Sequence, residues 1–155
     1  MKIKIEIDPQ LTEDEITIRC QRMDSKIQQM QEHLAELSAN ADRFRFFQGE
    51  KECYLKLDSI LFFETTDKIV CAHTKNESFT TAYRLYELEE ILPGNFMRIS
   101  KSAILNTEYI YSITKSITAS SLVEFCDSYK QVYVSRYYYK PLTFKLEERR
   151  RIYEK

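Results

Sequence analysis

The stretch Ile60-Leu61-Phe62-Phe63-Glu64-Thr65-Thr66-Asp67-Lys68-Ile69-Val70-Cys71-Ala72-His73-Thr74 holds two runs of β-branched and aromatic residues around the polar pair Thr66-Asp67. That is the composition of two short strands joined by a turn. The unit recurs on both sides. Upstream, Arg43 to Phe47 and Glu52 to Leu57 flank Gly49-Glu50, and downstream Ser78 to Ala82 follows Asn76-Glu77. Beyond Gly94 come Phe96 to Ser100, the polar pair Lys101-Ser102, apolar Ala103-Ile104-Leu105, and strands near Ile110 to Thr114, Leu122 to Cys126 and Gln131 to Val134, the last two joined at Asp127-Ser128. Strands therefore dominate from Arg43 onward.

Two helices are expected within this β-rich part. Leu85, Leu88, Ile91 and Leu92 share one helical face with Glu87, Glu89 and Glu90 opposite, and Pro93-Gly94 stops the run. Ser135 is a capable N-cap for a closing helix, Ser135 to Leu146, with Tyr138, Leu142 and Leu146 at helical spacing. Pro141 removes one internal hydrogen bond, which predicts kinked or irregular first turns.

The first 42 residues read differently. Ile3, Ile5 and Ile7 alternate with Lys2, Lys4 and Glu6, and Ile16, Ile18 and Cys20 repeat the alternation after Asp8-Pro9, which predicts an antiparallel pair. From Met23 the period becomes helical, through Ile27, Met30, Leu34 and Leu37, with Asp24 as N-cap. That seam is free either to pack on its own two strands or to pair with a second copy, and the two are compatible. The small, polar run 38–43 is the best boundary in the chain. The reading is a mainly β (α+β) protein, with a strand–strand–helix segment over residues 1–42 and a second domain over residues 43–155.

Composition excludes several functions. The chain has 155 residues, 43% hydrophobic and 30% charged, enough apolar side chains to fold and too short for a multidomain enzyme. Its 2 glycines, Gly49 and Gly94, cannot build the glycine-rich phosphate loops of nucleotide enzymes. Cys20, Cys53, Cys71 and Cys126 form no CxxC pair, so neither a metal site nor a cofactor is expected. With only His33 and His73 available, a catalytic triad is hard to assemble. Ser112-Ile113-Thr114-Lys115 matches an SxxK string but lacks its SDN and KTG partners. No catalytic residue is expected. The Asn76-Glu77-Ser78 sequon carries no chemistry in a reducing cytosol, where the absence of a signal peptide or an apolar span places the protein.

The net charge of -1 conceals a gradient. Residues 1–42 carry 5 basic and 9 acidic groups, residues 43–93 carry 7 and 9, and residues 94–155 carry 11 and 6. A basic end is compatible with nucleic acid. Exposed cations and hydroxyls cluster in three places, Thr65-Thr66-Asp67-Lys68, Arg98-Ile99-Ser100-Lys101-Ser102 and Val134-Ser135-Arg136-Tyr137. Arg and Lys can donate to guanine edges in a major groove, while Ser, Thr and Tyr hydroxyls suit phosphate oxygens. The bland alternatives are that Arg98 pairs with a glutamate of the preceding helix, that Lys101 is solvated and that Arg136 simply starts the last helix. A cytosolic protein-interaction module without DNA binding is the competing function.

Four motifs, in order, resemble the LytTR-type DNA-binding domain of bacterial transcription regulators. They are Ser59-Ile60-Leu61-Phe62-Phe63-Glu64, Leu85 to Leu92, the run Phe96 to Asn106, which is similar to an F-x-R-x-x-x-S-x-x-x-N signature, and Val134-Ser135-Arg136-Tyr137-Tyr138. The resemblance covers about residues 43–147. It implies an elongated, mostly antiparallel β-strand fold whose loops enter successive major grooves of double-stranded DNA. By position, Lys68, Lys101 and Arg136 match the family's base contacts, Arg98, Ser100 and Tyr137 touch phosphate or orient the readers, and Asn106 ties down its own loop. Lys101 stands where the family often has His or Asn, and Asp127-Ser128-Tyr129-Lys130 replaces a frequent Asn-Gly turn. A phosphoreceiver domain needs on the order of a hundred residues, so residues 1–42 point to the short stand-alone subgroup. That implies homodimers on repeated sites, a small membrane protein as a partner and no direct membrane insertion.

Overall fold

The computed structural model describes residues 1–41 and 43–153. The chain divides into two units, Met1–Ala39 and Asn40–Lys155, taken here one at a time.

In the first unit the expected helix forms as α1, Ser25–Ala41. Asp24 caps it as expected: its carboxylate Oδ1 accepts from the Ile27 N–H at 2.9 Å and its carbonyl from the Gln28 N–H at 3.0 Å. The two strands expected before it are absent. Residues 1–24 form no strand, and Ile3, Ile5 and Ile7 are 84–89% exposed. Asp8 does turn the chain, accepting from the Gln10 N–H on its side chain and the Leu11 N–H on its carbonyl. Alternation creates an apolar face but no cover for it, and a lone two-stranded hairpin is marginal in water. The α1 seam therefore does not pack on its own strands, and Met23 and Leu37 stay exposed.

The second unit is built from two antiparallel sheets. Its strands are β1 (Arg43–Gln48), β2 (Lys51–Lys56), β3 (Phe62–Thr66), β4 (Ile69–His73), β5 (Ser78–Thr81), β6 (Phe96–Ser100), β7 (Ala103–Asn106), β8 (Ile110–Thr114), β9 (Ser121–Phe125) and β10 (Gln131–Val134). The larger sheet runs β2-β1-β5-β4-β3-β7-β6 and the smaller β10-β9-β8. The helices are α2 (Leu85–Ile91) and α3 (Arg136–Tyr153), the latter longer than expected and containing Pro141. Gly49 takes a positive φ of 61° in the two-residue β1–β2 turn, where glycine avoids the usual left-handed penalty.

Ile60-Leu61-Phe62-Phe63 lies at the centre: Ile60 and Leu61 face opposite ways, as do Phe62 and Phe63, and the alternation breaks between Leu61 and Phe62, where β3 begins. Ile60 and Phe63 join Phe46, Phe79, Leu85, Leu88, Phe96 and Ile104 on the α2 side. Leu61 and Phe62 join Ile99, Leu105, Val123, Phe125, Val132, Val134 and Leu142 on the side of the smaller sheet and α3. One continuous apolar run thus feeds two cores, the signature of a strand covered on both faces.

Asn106 pins this run. Fully buried, it donates from Nδ2 to the Ile60 carbonyl at 3.0 Å and accepts at Oδ1 from Asn95 Nδ2 at 3.0 Å and the Glu108 N–H at 3.1 Å. It ties down its own loop, as expected. Phe125, Phe62 and His73 form a stack with centroid separations of 5.2 and 4.3 Å. Burial, and then the neighbouring Lys130 ammonium, push the His73 imidazole down to about 4.

Asn106→Ala would strand the buried Ile60 carbonyl and remove the acceptor of two partly buried donors, so it is expected to cost on the order of 3 kcal/mol in urea unfolding; a loss under about 0.5 kcal/mol contradicts this role. His73 gives a pH test. The unfolded imidazole takes a proton near its ordinary value, roughly 6.5, while the folded one resists until about 4, so stability is lost as pH falls through that window. Burial raises the Glu64 carboxyl, which acts in the opposite sense, so the readout is a difference between variants. The stability of wild type relative to His73→Phe should fall between pH 7 and about 4.5, and a constant difference contradicts the assignment.

Candidate nucleic-acid interface

The β3–β4 turn consists of Asp67 and Lys68, with φ of 50° and 66°. Thr66 pairs with Ile69 across it. Positive φ at both central residues suits the twist of a hairpin but favours Asn and Gly, so Lys68 occupies the tip at a conformational cost. Its side chain is exposed.

The β6–β7 turn consists of Lys101 and Ser102, with Ser100 paired to Ala103. Arg98 builds it from beneath. Its Nε donates to the Ser100 carbonyl at 2.6 Å, one terminal nitrogen to the Lys101 carbonyl at 2.6 Å, and the other to Glu89 Oε1 of α2 at 3.1 Å. The guanidinium is thereby directed into the protein, and its side chain is only 21% exposed. The pairing of Arg98 with a preceding-helix glutamate, weighed as the bland alternative, is the arrangement found. Ser100 Oγ accepts from the Ser102 N–H at 3.1 Å and lies 3.3 Å from Ser102 Oγ, so it too shapes the turn. Lys101 projects outward, exposed.

The third place is the β10–α3 junction. The Ser135 carbonyl accepts from both Tyr138 and Tyr139 N–H groups at 3.1 Å, starting the helix. Arg136 and Tyr137 lie on its outer face, Tyr137 81% exposed and edge-on to the Tyr138 ring at 5.0 Å.

Two backbone bonds bring the three places to one end of the larger sheet. The Thr65 N–H donates to the Ser102 carbonyl at 2.8 Å, placing the β3–β4 turn beside the β6–β7 turn. The Ser135 N–H donates to the Ile99 carbonyl at 2.9 Å, placing the start of α3 beside the same β6 end. Sequence reasoning singled out Lys68, Arg98, Ser100, Lys101, Arg136 and Tyr137; all six gather here, with Arg98 facing inward. Among the described residues, Lys68, Lys101 and Arg136 make no ion pair.

The opposite end is chemically different. There Lys75 pairs with Asp127 at 3.5 Å, Lys130 donates to the Glu77 carbonyl, and Ser128 Oγ donates to the Lys75 carbonyl at 2.8 Å. These bonds join the β9–β10 turn to the β4–β5 turn. Lys75 and Lys130 are spent within the protein at that end, while Lys68, Lys101 and Arg136 face solvent. Register adds Arg43 and Lys56, cross-strand partners whose end of β1–β2 lies on the Lys68 side of the sheet. Sequence reading passed over these two because their alignment exists only once strands pair.

The LytTr DNA-binding domain family matches residues 50–147. Proteins described as uncharacterized HTH-type transcriptional regulators from Staphylococcus aureus, strains NCTC 8325 / PS 47 and COL, are each 33% identical over 111 residues, covering 71% of this chain and 74% of theirs. A solved LytTr DNA-binding domain from Bacillus cereus superposes with a TM-score of 0.60 at 22% identity, covering 66% of this chain and 96% of that one, a likeness of fold. Although the relatives are described as helix-turn-helix proteins, no two α-helices among the described residues follow one another, since β1 follows α1 and β6 follows α2. A β-rich domain of the expected order, with its matched motifs in place, identifies the chain as a member of the LytTr DNA-binding domain family.

Proposed function

We propose how this DNA-binding transcription regulator engages the duplex: Lys68, Lys101 and Arg136 reach base edges from three neighbouring loops that enter successive major grooves. Ser100 and Tyr137 contact phosphate, and Arg98 orients Lys101. The observation that carries the reading is the gathering of three unpaired cations at one sheet end by the Thr65–Ser102 and Ser135–Ile99 bonds. Arg and Lys suit base edges because they present donors where guanine presents acceptors. A turn held by its own hydrogen bonds presents its cation with little ordering left to do on binding.

The reading is of a binding protein without catalysis. The only histidine of residues 43–155, His73, ends β4 and so lies at the far end from these loops. Among the described residues no helix is long and apolar enough to cross a membrane. A cytoplasmic location and two copies on a repeated site complete the proposal, avidity offsetting the modest charge of each copy. Control by a small membrane protein is carried by the family resemblance.

Selection of bound fragments from a random duplex pool should recover a repeated motif whose affinity falls with salt at a slope of several phosphates; an unenriched pool contradicts the reading. On the recovered site Arg136→Ala should cost about 1–3 kcal/mol and relax preference at one position without lowering the melting temperature. Arg98→Ala should lower both affinity and melting temperature, because two turn carbonyls lose their donor. Lys68→Gly separates strain from function: relief of the left-handed conformation should stabilise the fold by about 1 kcal/mol while DNA affinity drops. An unchanged affinity removes Lys68 from the interface.

A further inference from the structure

Lys115 lies outside the three loops, at the start of the β8–β9 connection. We propose that it is a fourth DNA contact, to the phosphate backbone beside the first turn of α3; this rests on the reading of the duplex-facing end given above. Strand register places it there. Thr114 pairs with Leu122, and Ser121 pairs with Val134, the residue just before the Ser135–Arg136 junction. The connection therefore leaves and re-enters the smaller sheet at the end where α3 begins.

The connection is shaped by its own bonds. The Ser116 N–H donates to Oγ of the buried Ser121 at 3.1 Å, and the Ala119 N–H donates to Ser116 Oγ at 3.0 Å. Lys115 is exposed, and its Nζ stands 5.3 Å from the centroid of the Tyr139 ring. Tyr139 and Lys140 follow Arg136 by three and four residues, so both neighbour it on the helix surface. Arg136 is thus flanked by Lys140 on its own helix and by Lys115 across the Tyr139 ring. No carboxylate occurs in residues 114–120 or 135–142, and among the described residues Lys115 makes no ion pair.

A side chain that enters a groove sits between two phosphate chains, so cations flanking it at the surface meet phosphate rather than bases. The aromatic face holds the ammonium in position without neutralising its charge. Lys115 consequently supplies affinity that is blind to sequence, complementing Arg136, which reads it.

The test is a salt titration of the full chain on its selected duplex and on a random duplex, comparing wild type, Lys115→Ala, Lys115→Arg and Arg136→Ala. Lys115→Ala should weaken both duplexes by the same factor, and the slope of log affinity against log salt should fall by about 1. Lys115→Arg should restore the slope. An unchanged slope, including one accompanied by a lower melting temperature, overturns the proposal, as does a loss confined to the selected duplex. If Arg136→Ala weakens binding while Lys115→Ala does not, only this proposal falls. If neither variant changes binding, the reading of the whole end falls with it.

Discussion

The β6–β7 hairpin is shared by two backbone hydrogen bonds, Thr65 to Ser102 and Ser135 to Ile99, and the arrangement of the candidate loops depends on them. Each bond is individually modest, about 0.5–1.5 kcal/mol net. Their consequence is geometric. Segments that are remote in the chain are held to a common hairpin, so one turn cannot shift without displacing its neighbours. Arg98 reinforces the hairpin from inside by joining its turn carbonyls to Glu89 of α2.

The hairpin is itself positioned by the two-sided burial of Ile60–Phe63. Phe63 and Ile60 commit the larger sheet to α2, while Leu61 and Phe62 commit it to the smaller sheet and α3. Asn106 closes the arrangement by bonding the Ile60 carbonyl from the end of β7. Packing of this kind has little tolerance for small shifts, which is what the proposed placement of several side chains on a duplex requires. The far end of the domain does the complementary job: the Lys75–Asp127 and Lys130–Glu77 links fasten the smaller sheet to the larger one away from the loops.

Most of the β-rich domain was legible in the sequence because its signals are local. The Gly49-Glu50 turn, the Pro93-Gly94 stop and the Asp24 cap each act within a few residues, whereas the turn expected at Thr66-Asp67 falls one residue later, at Asp67-Lys68. The N-terminal alternation misled for the same reason. Ile3, Ile5 and Ile7 define a face, but whether a face is covered is decided by the rest of the chain, and here the three side chains are exposed. Of the candidate site, the exposed cations were legible and the inward turn of Arg98 only as an alternative, since its partner Glu89 lies on another element. Lys115, Arg43 and Lys56 were illegible. Charge counted along the chain concentrates in residues 94–155, whereas Arg43, Lys56 and Lys115 come to their places only through strand register.

One end of the larger sheet, and not the other, is proposed to meet the duplex. Amide chemical shifts of the isotope-labelled protein, followed while the selected duplex is added, test it most directly. The largest changes are expected together at Thr66–Lys68, Ser100–Ser102 and Ser135–Tyr137, with Lys75–Glu77 and Asp127–Lys130 nearly still. Changes centred on Lys75–Glu77 and Asp127–Lys130 would contradict it.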